Sequence, residues 1–274
     1  MKSAYKEIFN LTGKTAIVTG ALGILGRNFC AGLAEYGANV VVVDLDIHST
    51  QKYAKELSKQ FQTDCLGLSC DVSSPEQVEN MVKQTFKKYN RIDILHNNAA
   101  TKTNDLNAYF APFEEYSLEQ WKKVMSVNID GMFLVAQHVG KEMVKQKHGG
   151  SIIQTSSIYG IIAPDQRIYK NSFYLGTHIN TPAVYSTSKA AVWGLTKYLA
   201  TYWADKGIRV NMLTPGGIES GQNEEFKENY ASRTPLGRMG NPDELVGALI
   251  YLASDASTYV TGQNFVVDGG LSTW

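Results

Sequence analysis

Thr15-Ala16-Ile17-Val18-Thr19-Gly20-Ala21-Leu22-Gly23-Ile24-Leu25-Gly26 decides the fold: a β-branched apolar run passes through a glycine turn into a segment with helical spacing. Glycines let the backbone bend tightly and approach a charged group. A helix that starts at such a turn directs its positive end and its free N–H groups at an anion. A TGxxGxxG turn between strand and helix therefore predicts a cradle for the pyrophosphate of a dinucleotide. Gly20, Leu22, Gly23, Ile24 and Leu25 are the residues expected to line it.

The same alternation continues outward. Strands are predicted at 15–18, 39–43, 66–69, 92–96, 151–155, 208–213 and 264–267, and helices at 24–36, 50–61, 75–89, 118–147, 184–204 and 242–253. Near-continuous apolar strands separated by helices imply one parallel sheet covered on both faces, an α/β architecture wound in both directions. Pro75 and Pro242 each follow a residue able to cap a helix, Ser74 and Asn241. No repeat or linker divides the 274 residues, so a single domain spanning 1–274 is expected. Two stretches break the rhythm: 164–182 (PDQRIYKNSFYLGTHINTP), and 215–240, which carries a short charged helix at 223–230. Both follow strands, where open parallel sheets bind ligands.

Composition narrows the function. The 26 Lys plus Arg equal the 26 Asp plus Glu, which argues against nucleic-acid or anionic-membrane partners. No apolar run is long enough to span a bilayer, and Met1 to Glu7 lacks the apolar core of a signal peptide, so a cytoplasmic protein is expected. Cys30, Cys65 and Cys70 read as small apolar residues in a reducing compartment, and no histidine or cysteine spacing suggests a metal site.

The second strand ends at Asp44, 18 residues past Gly26. A carboxylate there accepts hydrogen bonds from the adenosine ribose and repels a 2′-phosphate. No Lys or Arg lies in the glycine turn or follows Asp44 before Lys52, so NAD is favoured over NADP. Asp71 and Val72, after the third strand, face the adenine on this reading, although Asp71-Val72-Ser73-Ser74 also reads as an ordinary turn.

Tyr185-Ser186-Thr187-Ser188-Lys189 places a phenol and an ammonium four residues apart on one helix face. A tyrosine is a poor base at neutral pH, and a nearby cation is expected to lower its pKa. Taken with the glycine turn, Asn97-Asn98-Ala99-Ala100, Ser157 and Pro215-Gly216, this motif makes the chain resemble the short-chain dehydrogenase/reductase family from about Leu11 to Gly270. The resemblance implies a single-domain Rossmann fold with seven mostly parallel strands. It also implies a catalytic tetrad of Asn128, Ser157, Tyr185 and Lys189. Tyr185 would be the acid/base, Lys189 would lower its pKa and hold the nicotinamide ribose, and Ser157 would hold the substrate oxygen. Asn128 would support a water leading from Lys189 to solvent. Asn97, Asn98, Ala99, Ala100, Pro215, Gly216, Ile218 and Ser220 would line the cofactor. Homodimers or homotetramers are the implied assembly, with the helix 118–147, the helix after Tyr185 and the last strand as contacts. Ser156 competes with Ser157, and the family pattern favours Ser157.

Two departures qualify the resemblance. The glycine spacing is that of the extended branch, which holds sugar-nucleotide epimerases and dehydratases, whereas Tyr259 to Gln263 and Val267 to Gly270 look classical; the classical assignment is kept. The gap from Ser157 to Tyr185 is 28 residues, longer than the family's usual one, and the excess is the 164–182 stretch. Its Arg167, Lys170 and His178, with Tyr169, Phe173 and Tyr174 and against the single acid Asp165, suit a polar, sugar-like substrate, phosphorylated or not, with Arg167 and Lys170 as its contacts; the alternative is that they pack the loop or a subunit contact. The loops 101–113 and 217–240 would complete the pocket. The chain is also similar to family members linked to bacterial surface-sugar and flagellin-glycan synthesis. The reading is therefore an NAD(H)-dependent oxidoreductase interconverting a secondary alcohol and a ketone. Its alternatives are an NAD-retaining sugar dehydratase or epimerase and a non-catalytic NAD-binding scaffold, separable by net NADH change and by the effect of Tyr185→Phe.

Overall fold

In β1 (Thr15–Thr19) every residue is buried, and its side chains alternate between two cores. Ala16 and Val18 face one layer of helices, and Ile17 faces the other. The same alternation runs through β2 (Asn39–Asp44), where Val40 and Val42 oppose Val41 and Val43. This is why the strands read as unbroken apolar runs: a sheet covered on both faces has no polar side.

The chain is a computed structural model describing residues 5–274. Residues 1–4, part of the start discussed above, lie outside the described residues. With β3 (Leu66–Ser69), β4 (Ile94–Asn97), β5 (Gly150–Thr155), β8 (Ile208–Pro215) and β9 (Asn264–Val267), the sheet runs β3-β2-β1-β4-β5-β8-β9, every pairing parallel. The expected seven-stranded, single-domain Rossmann fold is the observed one. Its strand order reverses between β1 and β4, which opens the crevice where such sheets bind ligands.

One face carries α1 (Ile24–Glu35), α2 (Ile47–Phe61) and α9 (Val246–Ala253). The other carries α3 (Pro75–Tyr89), α6 (Met132–Gln146) and α7 (Ala183–Tyr202). Capping follows the sequence: the Ser74 side chain accepts from Gln77 N–H ahead of Pro75, and Asn241 and Glu244 form a reciprocal capping box around Pro242. At the far end from the crevice, Asp93 accepts the Thr15 N–H at 2.8 Å and a bidentate pair from Arg91 at 2.7 and 2.6 Å, tying β1 to β4.

Two expectations are corrected. The helix read as 118–147 is α5 (Leu118–Met125), a π-helical turn Ser126–Gly131, and then α6. Periodicity cannot register a single wide turn whose flanks keep their apolar faces. The 164–182 stretch is not wholly irregular. It contains a short helical turn Gln166–Tyr169 and a hairpin of β6 (Phe173–Tyr174) and β7 (Thr177–His178), turned by Leu175 and Gly176 at φ 50° and 80°. The 101–113 loop holds a one-turn α4 (Leu106–Tyr109) capped by Asp105, while α8 (Glu224–Arg233) lies within 215–240. Of the cysteines, Cys30 and Cys70 are buried, Cys65 is half-buried, and all three are free.

Candidate active site

At the crevice, β1 ends in Thr19, whose hydroxyl accepts the N–H groups of Asn98 and Ala99 at 3.0 and 3.1 Å. The next residue, Gly20, sits at φ +64°, and a Cβ there would lie 2.9 Å from Ala99 Cα. Gly26 allows α1 to lie directly on the turn, since its Cβ would fall 2.1 Å from the Gly20 carbonyl oxygen. No side chain caps α1 at Gly23 and no acidic residue occupies its first turn, so its free N–H end opens on the cleft. These features fit a dinucleotide pyrophosphate: a close-approach backbone and an uncapped helix start.

The cleft, about 850 Å³, runs from this turn to α7. Of the residues expected at the cofactor, all but Asn97 line this cleft, from Gly20 and Asp44 through Asp71, Val72 and Asn98 to Pro215, Gly216, Ile218 and Ser220. Asp44 accepts the Leu22 and Leu45 N–H groups at 2.9 and 2.8 Å, which fixes its carboxylate at the cleft edge. Asp71 takes the turn geometry weighed above, accepting Ser73 N–H and O–H through one oxygen at 2.9 and 2.7 Å. Asn97 is corrected: it is buried beneath the cleft and donates to the Met132 carbonyl at 2.7 Å.

At the other end stand Ser157, Tyr185 and Lys189. The intervening segment loops aside, so that Ser157 and Tyr185 line the same cleft, with the Ser157 hydroxyl near enough to the phenol to act on its pKa. The adjacent Ser156 is engaged elsewhere, its hydroxyl donating to the Lys189 carbonyl at 2.8 Å. Lys189 Nζ donates to the Thr155 carbonyl at 3.0 Å, and burial pushes its pKa down to about 8. His96, behind Thr155, bonds the Thr155 hydroxyl at 2.8 Å, and burial pushes its pKa down to about 3, so it is neutral. Asn128, in the π turn, does not reach the cleft; its amide accepts Thr101 N–H at 2.9 Å and donates to Ser188 Oγ at 3.1 Å.

The expectation that Lys189 lowers the Tyr185 pKa is not met. Burial raises that pKa, and the nearby Ser157 hydroxyl opposes the rise. The ammonium lies 6.0 Å from the phenol ring centroid and is directed at the Thr155 carbonyl. Desolvation outweighs a cation held off to the side.

Arg167 and Lys170 are not brought into this cleft. Arg167 is exposed and forms a bidentate pair with Asp165 at 2.8 and 2.7 Å. Lys170 borders a separate cavity of about 580 Å³ between the segment and the 101–113 loop. An acid two residues before Arg167 satisfies it locally, a pairing that composition could not reveal. Besides Lys189, the cation that lines the cleft is Lys102, which shares it with the aromatic rings of Tyr109, Tyr159, Tyr169, Tyr174 and Phe226. Sequence reading singled out their loops but not most of these side chains, because no periodicity marks which loop residue turns inward.

Fold, glycine turn and convergent Ser157, Tyr185 and Lys189 define a dinucleotide-dependent oxidoreductase architecture. The family model described as enoyl-(acyl carrier protein) reductase matches residues 20–272. The 2-dehydro-3-deoxy-D-gluconate 5-dehydrogenase of Pseudoalteromonas atlantica is 34% identical, over 96% of this chain and 98% of that protein. Among solved structures, a gluconate 5-dehydrogenase from Burkholderia cenocepacia in complex with NADP and tartrate is 33% identical with a TM-score of 0.86, covering 98% of each chain. A short-chain dehydrogenase from Leptospira borgpetersenii with bound NAD+ is 32% identical with a TM-score of 0.82, covering 99% of this chain and 97% of that one. The chain belongs to the short-chain dehydrogenase/reductase family, of the classical type. It is an NAD(P)-dependent oxidoreductase acting on CH–OH groups. Among the described residues, no helix is long and apolar enough to cross a membrane.

Proposed function

We propose that this enzyme interconverts a secondary alcohol and a ketone on a polar, sugar-like substrate, with NAD(H) preferred. The observation that carries the proposal is the convergence of Tyr185, Ser157 and Lys189 with the glycine turn on one cleft. When bound, the nicotinamide supplies or accepts the hydride. Ser157 holds the substrate oxygen, and Tyr185 moves the proton to or from it. With its pKa raised, the Tyr185 phenol is protonated at neutral pH and suited to donate to a forming alkoxide, the direction of ketone reduction. Lys189, whose Nζ donates to the Thr155 carbonyl, would hold the nicotinamide ribose when the cofactor is bound, and Asn128 braces Thr101 and Ser188.

A sugar-like substrate is supported by the aromatic cleft wall and by relatives named for gluconate-type substrates. NAD is supported by the Asp44 carboxylate and by the lack of any Lys or Arg lining the Asp44 end of the cleft among the described residues. The NADP in two similar structures keeps NADP as the second reading. A screen of polyols, sugar acids and sugar phosphates for NADH or NADPH change tests this. Turnover with a sugar-like alcohol and NAD supports it; activity confined to non-carbohydrate ketones, or to NADP, contradicts it. A homodimer or homotetramer is supported by exposed Phe133 on α6 and Trp193, Tyr198 and Tyr202 on α7, and light scattering measures it.

A further inference from the structure

Two lysines line the cleft, Lys189 and Lys102, and the two carboxylates that line it, Asp44 closing β2 and Asp71 after β3, lie at the glycine-turn end. Among the described residues, the substrate end therefore carries cations and no acid. Lys189 is committed to the Thr155 carbonyl. Lys102 is not: it is exposed to the cleft, its Nζ stands 4.1 Å from the centroid of the Tyr174 ring, and no carboxylate among the described residues pairs with it. A cation steadied over a ring, with no carboxylate of its own, is free to pair with an anion that enters the cleft.

The position of Lys102 is built. Thr101 N–H is held by the Asn128 amide at 2.9 Å. On the other side, Thr103 adopts φ 63°, its N–H donates to Thr101 Oγ1 at 3.0 Å, and its hydroxyl accepts from Gln120 Nε2 at 2.5 Å. A β-branched residue at positive φ persists only where its surroundings enforce it. The ring opposite is equally fixed: Tyr174 belongs to the β6–β7 hairpin and pairs with Gln222, and Phe173 N–H donates to Asn223 Oδ1 at 3.0 Å.

We propose that Lys102, clamped between the tetrad-linked loop and Tyr174 of the hairpin, recognises an anionic group on the substrate, a carboxylate or a phosphate, at the end remote from the reacting carbon. This rests on the oxidoreductase reading for the cleft and names its substrate class: an anionic sugar derivative. The role inferred for Arg167 from sequence thus passes to a residue on a different loop.

The test titrates NAD-loaded protein with D-gluconate, D-glucose 6-phosphate and neutral D-sorbitol by calorimetry, alongside turnover of each. Lys102→Met is expected to weaken binding of one or both anions by about tenfold or more, with a much smaller change for sorbitol, and Lys102→Arg to restore most of the loss. The carboxylate and phosphate arms identify the group. Equal losses for charged and neutral ligands, or wild-type binding of sorbitol as tight as that of both anions, overturn the proposal. Anion binding that depends on Lys102 without turnover of any ligand keeps the site and points against the oxidoreductase reading for these sugars. Turnover indifferent to Lys102 does the reverse.

Discussion

The two ends of the cleft are built differently. At the cofactor end, residues come from strand ends and the turns that directly follow them: Gly20 after β1, Asp44 closing β2, Asp71 after β3 and Asn98 after β4. The sheet ladder fixes those backbones, so distance along the sequence converts directly into position in space. The substrate end is assembled from three separated segments that hold one another. Asn223 Nδ2 donates to the Asn171 carbonyl at 3.1 Å, Asn171 Nδ2 to Glu225 Oε1 at 3.1 Å, and Asn180 Nδ2 to the Phe110 carbonyl at 2.8 Å. Tyr169 stacks on Phe226 with centroids 5.7 Å apart. One end is set by the scaffold; the other is set by non-local pairs that a substrate can share.

Substitutions should separate the two. The largest effect is expected from Gly26→Val, whose Cβ has no room against the Gly20 carbonyl and Ala21 Cα at 2.1 and 2.7 Å. Loss of more than about 3 kcal/mol by denaturant unfolding is expected. Gly176→Ala, at the hairpin tip with φ +80° and open space around it, should cost only about 1 kcal/mol. Equal losses would break the contrast between scaffold and lid.

Next in size is Asp44→Ala. Loss of a charged hydrogen-bond acceptor should raise the KM for NAD by about ten- to a hundredfold and narrow its advantage over NADP. The substrate KM should change far less. Tyr174→Ala should show the opposite split, a several-fold rise in substrate KM with cofactor affinity nearly retained; about 1 kcal/mol is typical of a lost cation–π contact. Steady-state kinetics with both substrates varied checks each, and a cofactor effect from Tyr174→Ala would blur the division.

The smallest expected effect is on direction. Because burial raises the Tyr185 pKa, the phenol stays protonated through neutral pH and loses its proton only above the usual tyrosine range. Reductive kcat/KM should therefore hold level through neutrality and fall at alkaline pH, while oxidative kcat/KM rises over the same interval. A falling oxidative limb there would contradict this assignment of the proton.

The contrast also explains what was legible. The seven strands, the glycine turn and the Tyr185–Lys189 spacing follow from local pattern, because a buried parallel sheet imposes unbroken apolar runs and a helix imposes i, i+4 neighbours. The π turn at Asn128 was hidden because α5 and α6 keep apolar faces on both sides of it. Arg167 was misplaced because its partner, Asp165, is a local choice of rotamer and not a pattern. Lys102 was missed because its inward direction depends on Thr103 adopting a conformation that no propensity assigns to threonine.

The central claim is that Tyr185 moves the proton in a cleft whose other end binds the dinucleotide independently. The most direct test measures NAD binding and single-turnover hydride transfer in wild type and Tyr185→Phe, with the best alcohol or ketone found by screening. The account predicts unchanged folding, NAD affinity within about twofold, and hydride transfer slowed by about a hundredfold or more. Hydride transfer at the wild-type rate in Tyr185→Phe would contradict it.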